Sequence, residues 1–90
     1  MLRIWGKIMK NNKIIMDYVV SCDKDGSYQD NLKQCILELC YKLDIEKPYW
    51  LPSNLDEYNK RGKTSFNENN FIETIDFDKF VIEELDKNKD

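Results

Sequence analysis

Two apolar segments joined by a pair of asparagines constrain the fold of this chain more than any other feature. Residues 2–9 and 13–21 are both rich in β-branched and aromatic side chains, which favour strands. Between them, Asn11 and Asn12 can adopt the positive φ angles of a tight two-residue turn. The sequence therefore predicts an antiparallel hairpin over these two segments.

The turn also sets the predicted register of the hairpin. A two-residue loop places Trp5 opposite Tyr18 and Ile8 opposite Ile15. A slip of one residue would exchange the two faces, so the assignment depends on the turn. One predicted face carries Leu2, Ile4, Ile8, Ile15 and Val19, and the other carries Arg3, Trp5, Lys7, Met9, Ile14, Met16, Tyr18 and Val20.

An amphipathic helix is predicted over residues 28–43. Ser27, followed by Asp30, matches an N-terminal capping pattern. Leu37 and Tyr41 lie on the side where a surface helix is usually polar, so we expect another element or a partner to cover them. The apolar stripe, which should pack on one hairpin face, consists of Tyr28, Leu32, Cys35, Ile36, Leu39 and Leu43.

Two prolines and a glycine divide the next part of the chain. Pro48 and Pro52 favour an extended conformation for the segment around Trp50. Ser53 is then predicted to cap a short helix that ends at Gly62.

One loop and one strand are predicted for the remainder of the chain. Residues 63–70 are polar and rich in asparagine, which is typical of a loop. Residues 79–85 predict a third strand that joins the sheet. We therefore expect a single α+β domain over residues 1–90, with the charged residues 86–90 frayed.

The composition restricts the class of protein. Apolar residues make up 41% of the chain and charged residues 34%, a mixture that supports a globular domain. Three cysteines are an odd number for a secreted disulfide framework and favour a reducing, cytoplasmic setting. No apolar run is long enough for a signal sequence or a membrane span, so we expect no membrane association.

Charge is distributed unevenly along the chain. Residues 1–22 carry four cations and one carboxylate, whereas residues 64–90 carry eight carboxylates and three cations. Opposite charges of this kind favour pairing of the two segments as neighbouring strands. The net charge of −3 disfavours nucleic acid as a partner.

No catalytic, metal or cofactor signature is recognisable. Because the chain has no histidine, a serine–histidine or cysteine–histidine pair is impossible within it. Residues 23–27 resemble the start of a calcium loop, but Tyr28 and Gln34 stand where such a loop needs Gly and Glu. Cys35 and Cys40 lie about 140° apart around the predicted helix, too far for one zinc ion. We therefore expect neither enzymatic activity nor a cofactor.

One group of residues suggests a binding surface. Arg3, Trp5 and Lys7 alternate along one face of the predicted hairpin, and Tyr18 lies opposite Trp5. Cations interleaved with aromatic rings can hold phosphates and stack bases. The same residues also fit a face covered by the segment around Trp50, or an interface with another protein. All three interpretations are open at this point.

Short motifs spread over nearly the whole chain carry a resemblance. They are Arg3-Ile4-Trp5-Gly6-Lys7-Ile8, Trp50-Leu51-Pro52, Phe71-Ile72-Glu73 and Ile75-Asp76-Phe77-Asp78. The chain resembles, through these motifs, a family of small uncharacterised bacterial proteins of similar length. The resemblance implies a bacterial, cytoplasmic protein and carries no known activity or site residue.

These observations lead to the hypothesis of a small non-enzymatic protein-interaction module that binds a protein partner or a second copy of itself. The face with Trp5 and Tyr18, and the pair Leu37 and Tyr41, exceed what one sheet-and-helix core is expected to bury. The alternatives are single-stranded nucleic-acid binding through the hairpin face and an enzyme of unrecognised type. The candidate interaction residues are Arg3, Trp5, Lys7, Met16, Tyr18, Leu37, Tyr41 and Trp50.

Overall fold

The computed structural model of the chain describes residues 2–22 and 26–85 and confirms the predicted α+β class. The calcium-loop resemblance, in its residues 23–25, and the expected fraying of residues 86–90 lie outside the described residues. The strands form one antiparallel sheet in the order β2-β1-β4-β3. In chain order the elements are β1 (Leu2–Lys10), β2 (Lys13–Cys22), α1 (Tyr28–Leu43), α2 (Pro52–Arg61), β3 (Lys63–Phe66) and β4 (Lys79–Glu84).

The predicted hairpin is confirmed as β1 and β2. Asn11 and Asn12 adopt φ angles of 55° and 65°, as a two-residue primed turn requires. Next to the turn, Met9 pairs with Ile14 in the predicted register. The asparagine pair therefore determines where the chain reverses.

A register shift near the turn makes the predicted assignment of the two faces wrong. Beyond Met9 the ladder shifts by one residue, as in a β-bulge, where an extra residue on one strand has no partner of its own. As a result Trp5 lies opposite Val19, and Tyr18 lies opposite Gly6. Because directly opposed residues share a face, Trp5 and Tyr18 lie on opposite faces of the sheet.

The first and last strands are neighbours, as the charge distribution predicts. β1 pairs with β4 from Ile4 opposite Glu84 to Met9 opposite Lys79. The predicted third strand at residues 79–85 is thereby confirmed as β4, and it lies inside the sheet rather than at its edge.

β3 occupies part of the segment that the sequence predicts as a loop. It pairs with β4, with Thr64 opposite Ile82 and Phe66 opposite Phe80. The side chains of Phe66 and Phe80 are fully buried, and their rings lie 5.9 Å apart. The loop prediction is therefore wrong for residues 63–66, because pairing with β4 and burial of one ring outweigh the polar local composition.

α1 begins and ends where the sequence predicts. The Ser27 hydroxyl accepts a hydrogen bond from the backbone N–H of Asp30 at 3.1 Å, and the helix ends at Asp44, which adopts a left-handed φ of 57°. The predicted stripe packs inward with two exceptions. Leu32 is only partly buried, and the side chain of Tyr28 is 46% exposed.

α2 is longer than predicted and begins two residues earlier. Pro52 opens the first turn and Leu51 is the N-cap residue, so the prediction that Ser53 caps the helix is wrong. Proline suits this place because its missing N–H would have no intrahelical partner there. The predicted end is confirmed, since Gly62 adopts a left-handed φ of 68° and its N–H bonds to the carbonyl of Tyr58.

Both helices cover the same face of the sheet. Leu39 of α1 lies so close to Gly6 of β1 that an added Cβ would come within 2.9 Å of the leucine Cδ2. Asn54 of α2 donates a hydrogen bond to Thr64, which shares a face with Gly6 because both residues pair with Ile82. Among the described residues, neither helix packs on the opposite face. The fully buried core side chains include Ile4, Leu39, Phe66, Phe80 and Ile82.

All three cysteines are free thiols buried between the sheet and α1. Cys22 at the end of β2 interacts with Cys35 on α1. Burial raises the pKa of the Cys35 thiol, and it raises the pKa of Cys40 to about 11, although the nearby ammonium of Lys47 acts in the opposite direction. The thiols of Cys35 and Cys40 therefore stay protonated at neutral pH and pack as small apolar groups.

The raised pKa of Cys40 predicts a loss of stability in alkali that alanine should remove. The thiol ionises near its ordinary pKa of 9.0 when unfolded and near 11 when folded, so its contribution is complete below pH 9 and decreases as the pH rises toward 11. We expect the wild-type chain to lose about 2 kcal/mol more than Cys40→Ala between pH 8 and pH 11. Urea unfolding of both proteins across this range measures the difference, and parallel curves would contradict it.

Candidate interaction surfaces

The structure leaves many large apolar side chains at the surface, and most of them fall on two surfaces. One is β2, and the other is a cleft between α1 and α2. Isolated apolar residues on a surface are common, but groups of them mark sites of contact. Among the described residues the exposed large apolar side chains are Ile14, Ile15, Met16, Tyr18, Val19, Tyr28, Leu37, Tyr41, Tyr49, Leu51, Leu55 and Ile72.

β2 lies at one edge of the sheet and is the most apolar exposed element. It is ten residues long, and Lys13 and Asp17 are its only charged residues. Five of its large side chains are between 41% and 52% exposed. A long, apolar edge strand offers unpaired backbone groups to any other strand. These five side chains are Ile14, Ile15, Met16, Tyr18 and Val19.

The two faces of β2 are occupied differently. Met16 and Tyr18 lie opposite Ile8 and Gly6, on the face that α1 covers, yet both stay exposed because they lie near the turn end of the strand. The ammonium of Lys42 lies 5.5 Å from the Tyr18 ring centroid, a distance suited to a cation–π contact. Tyr18 therefore lies at the margin between β2 and α1, not beside Trp5.

The cleft between α1 and α2 has a volume of about 630 Å³. α1 forms one wall of the cleft and α2 forms the other. The segment from Lys47 to Trp50 closes one side. Its size falls within the range of binding pockets, which is roughly 300–1,000 Å³. The lining residues are Tyr28, Gln29, Leu32, Lys33, Ile36, Leu37, Lys47, Pro48, Tyr49, Trp50, Leu55, Tyr58 and Asn59.

Trp50 contributes a fixed aromatic surface to this cleft. Its ring packs edge-on against Tyr58 at 5.7 Å and against Phe66 at 5.2 Å between centroids. The side chain is partly buried, so one part of the ring belongs to the core and the other faces the cleft. Edge-to-face aromatic pairs of this kind add stability beyond the area they bury.

Buried amides hold the segment that carries Trp50. Asn70 donates from Nδ2 to the carbonyl of Tyr49 at 2.6 Å and to Oδ1 of Asn54 at 2.8 Å. The backbone N–H of Tyr49 donates in return to the carbonyl of Asn70 at 2.7 Å. Asn54 donates to Thr64 and to the carbonyl of Ser65. The segment is therefore bound to β3 and α2 by groups with satisfied hydrogen bonds, which makes the cleft a preformed feature.

Two tyrosine hydroxyls at one end of the cleft form a hydrogen-bonded chain. Tyr28 donates to Glu84 Oε1 at 2.8 Å, so the hydroxyl of Tyr58, also 2.8 Å from that of Tyr28, is the donor to Tyr28. Burial and the nearby carboxylate of Glu84 raise the pKa of Tyr28 to about 12, although the hydrogen bond with Tyr58 acts in the opposite direction. The pKa of Tyr58 is also raised, chiefly by burial. Both hydroxyls therefore stay neutral near pH 7 and cannot serve as bases there.

The cleft has a positive charge although the chain as a whole is negative. Among the described residues, Lys33 and Lys47 are the only charged ones in its lining, whereas the net charge of the chain is −3. Neither lysine forms an ion pair with a carboxylate of the described residues. An anionic group in the cleft would therefore meet two cations of the described lining, while the carboxylate of Glu84 lies at one end, where it accepts a hydrogen bond from Tyr28.

On the open face of the sheet, Trp5 and Lys7 of the predicted basic–aromatic cluster each have an acidic partner. The Trp5 indole N–H donates to Asp17 Oδ2 at 2.9 Å. The ammonium of Lys7 lies 4.1 Å from the Trp5 ring centroid and 3.3 Å from Glu83 Oε1. These two carboxylates offset the local positive charge, and Arg3 on the same face is exposed.

The structure divides the sequence-predicted interaction residues among several surfaces. Leu37 and Trp50 meet in the cleft, whereas Tyr41, 82% exposed on α1, does not line it. Sequence reasoning missed Tyr49 and Leu55 as parts of the same cleft. Tyr49 lies within the segment bracketed by Pro48 and Pro52, and Leu55 follows this segment closely, which is the one signal that connects them in the sequence. On the sheet, the open face holds Arg3, Trp5 and Lys7, and the margin of β2 holds Met16 and Tyr18.

Within the described part of the chain, other kinds of site find no support. No group of three or more cysteine, aspartate or glutamate side chains lies where it could hold a metal ion. None of the described helices combines the length and the apolar character needed to cross a membrane.

Comparison of the chain with protein-family models, with curated proteins and with solved structures finds no match. The function is therefore inferred from the residues of this chain alone.

Proposed function

We propose that this protein is a small non-enzymatic interaction module that self-associates by pairing β2 of one copy with β2 of a second copy. The observation that carries the proposal is the ten-residue edge strand with five exposed, large apolar side chains. Addition of a strand to a free sheet edge is a common mode of protein recognition. Two four-stranded sheets would then form one continuous sheet across a two-fold axis.

The opposite edge of the sheet supports this choice by contrast. β3 has only four residues and begins with Lys63. α2 contributes Asn54, which bonds to the side chain of Thr64 and the carbonyl of Ser65 on this strand. Short length, charge and cover by a helix are means by which proteins prevent edge pairing. β3 has these protections, whereas most of β2 does not.

The bulge in β2 determines which part of the strand is suitable for pairing. It lies close to the turn, and residues 16–22 keep one regular register with β1. Val19 is the middle residue of this stretch and is 45% exposed. An antiparallel pair centred there places Val19 of one copy opposite Val19 of the other. A single strand pair buries less surface than a standard interface, so we expect a dissociation constant in roughly the micromolar range.

The nucleic-acid alternative has less support. It relied on the cations Arg3 and Lys7 beside Trp5 and Tyr18, but Tyr18 lies on the opposite face of the sheet. Lys7 is paired with Glu83. A phosphate would have to displace that carboxylate and would also meet Asp17, so its electrostatic gain would be small.

Val19→Lys is expected to weaken self-association by at least about tenfold, because it places two like charges opposite each other at the two-fold axis and removes an apolar contact. Sedimentation velocity over a concentration series measures the effect. Val19→Thr, which keeps the branched shape without a charge, should associate almost as well as the wild type. Because the side chain is exposed, unfolding free energies of both variants should stay within about 0.5 kcal/mol of the wild type.

Two results would refute the proposal. One is a wild-type chain that remains monomeric into the millimolar range. The other is a dimer that Val19→Lys leaves intact, since the interface would then lie elsewhere.

A further inference from the structure

We infer that the cleft between α1 and α2 binds an amphipathic helix of another protein, with acidic residues beside its apolar face. This inference goes beyond self-association because it concerns a different surface. Lys42 of α1 reaches Tyr18 on β2, whereas Leu37 lines the cleft. The two residues are five apart, which separates them by about 140° around the helix. A ligand in the cleft therefore leaves the edge of β2 free.

The open shape of the cleft favours a helix over a small molecule. Leu37, Tyr49 and Leu55 line the cleft and yet are each more than two-fifths exposed. Pockets for small ligands usually bury most of the ligand surface, which a cleft with such exposed walls does not. A helix needs to bury only its apolar face and leaves its polar face in solvent.

The dimensions of the cleft agree with this ligand. Its wall on α1 extends from Tyr28 to Leu37, a distance of about 14 Å at 1.5 Å per residue. That length matches about two and a half turns of a bound helix, enough for apolar anchors at positions i, i+3 or i+4, and i+7.

The side chains of the cleft are of the types that anchor protein interfaces. Trp50 and Tyr58 form a rigid aromatic floor, and Leu37 and Leu55 rise from the two helices on either side. Tryptophan and tyrosine are enriched among the residues that contribute most to binding. A preformed floor also lowers the entropy lost on association.

The charge of the cleft lining is the reason for expecting acidic residues in the ligand. Of the described residues that line the cleft, Lys33 and Lys47 are charged and none is a carboxylate. Glutamate or aspartate beside the apolar face of a bound helix would pair with these ammonium groups, whereas lysine or arginine there would meet like charge. Complementary charge of this kind selects among partners and orients them.

Selection from random peptides tests the inference without assuming a sequence. A phage-displayed library of random sixteen-residue peptides is panned on the wild-type protein. We expect enriched peptides to carry large apolar residues at i, i+3 or i+4, and i+7, with Asp or Glu on the flanks. Circular dichroism of a synthetic enriched peptide should show helix formation on binding. Enrichment of no common motif, or of a basic or extended one, would overturn the inference.

Matched variants locate the bound peptide. Leu37→Glu and Leu55→Glu should each lower its affinity at least tenfold, because each places a carboxylate in the cleft beside the acidic ligand. Tyr41→Glu is the control, since it makes a similar change on α1 outside the cleft lining. If either cleft variant fails to fold, the milder Leu37→Ser and Leu55→Ser replace it.

The lysines are tested in the same way. Lys33→Glu combined with Lys47→Glu should lower the affinity at least tenfold, whereas Lys79→Glu on β4 should leave it unchanged. Equal binding by the cleft variants and the wild type would overturn the inference. Val19→Lys should bind the peptide normally, so failure of self-association and failure of peptide binding can be distinguished.

Discussion

Asn54→Ala is expected to lower the free energy of unfolding by about 3 kcal/mol. Asn54 is almost completely buried, and its Nδ2 donates to Thr64 Oγ1 and to the carbonyl of Ser65, both at 2.9 Å. Its Oδ1 accepts from the backbone N–H of Leu51 at 3.0 Å and from Asn70 at 2.8 Å. Alanine removes one hydrogen bond from each of these partners in a site where water cannot readily replace the amide.

Urea unfolding measures this loss. Asn59→Ala, an exposed change on the same helix, is the matched control and should change the stability by less than about 0.5 kcal/mol. Because Asn54 helps to hold the segment around Trp50, the emission of that residue should also shift to longer wavelength in a Trp5→Phe background. A cost for Asn54→Ala below about 1 kcal/mol would show that the amide network does not contribute as described.

Gly6→Val is expected to destabilise the fold by about 3 kcal/mol. Gly6 is a buried residue of β1, and a Cβ there would come within 2.9 Å of Leu39 Cδ2 and 3.0 Å of Phe80 Cε1. The absence of a side chain at Gly6 allows α1 to approach the sheet. Valine would require the leucine, the ring or the helix itself to move, and close-packed interiors resist such movement.

A double-mutant cycle identifies the cause of this loss. Leu39→Ala alone should cost about 3 kcal/mol, because the leucine is completely buried. In the double variant, the valine side chain enters the space that the leucine leaves, so the combined cost should be at least about 1 kcal/mol smaller than the sum. Additive costs in chemical denaturation would mean that contact with Leu39 is not the reason for the glycine.

Local sequence signals predicted those parts of the fold that local interactions determine. α1 follows from the cap at Ser27 and from a regular apolar stripe. The hairpin turn follows from Asn11 and Asn12, whose side chains tolerate positive φ. The α+β class then followed from a hairpin, a helix and an apolar segment after them.

Other parts depend on contacts between residues that are distant in the sequence. β3 forms because β4 offers it a partner, and nothing in the polar residues 63–66 indicates this pairing. The extra residue in β2 places Tyr18 away from Trp5, and bulges of this kind have no consistent local signal. The start of α2, in contrast, could have been predicted from the local sequence. Proline at a first helical position is a known pattern and would have placed the helix start correctly.

The sequence predicted that apolar residues would remain at the surface, but it did not predict where these residues would lie in the fold. Leu37 and Tyr41 share a helix face in the sequence, yet only Leu37 reaches the cleft. The reason is that α2 and the segment around Trp50 lie beside α1 only between Tyr28 and Leu37, and the position of this segment depends on Asn54 and Asn70. Two buried asparagines far apart in a polar stretch give no sign of such a role before folding.

The central place of β4 links the folding of this protein to its synthesis. The hairpin can form as soon as it leaves the ribosome, because its contacts are local, whereas Ile4 must wait for Glu84. Until then one side of β1 has no neighbour, and β3 has nothing to pair with. Contacts between such distant positions also form slowly. A nascent chain is therefore expected to complete its sheet in one late step, after β4 has left the ribosome.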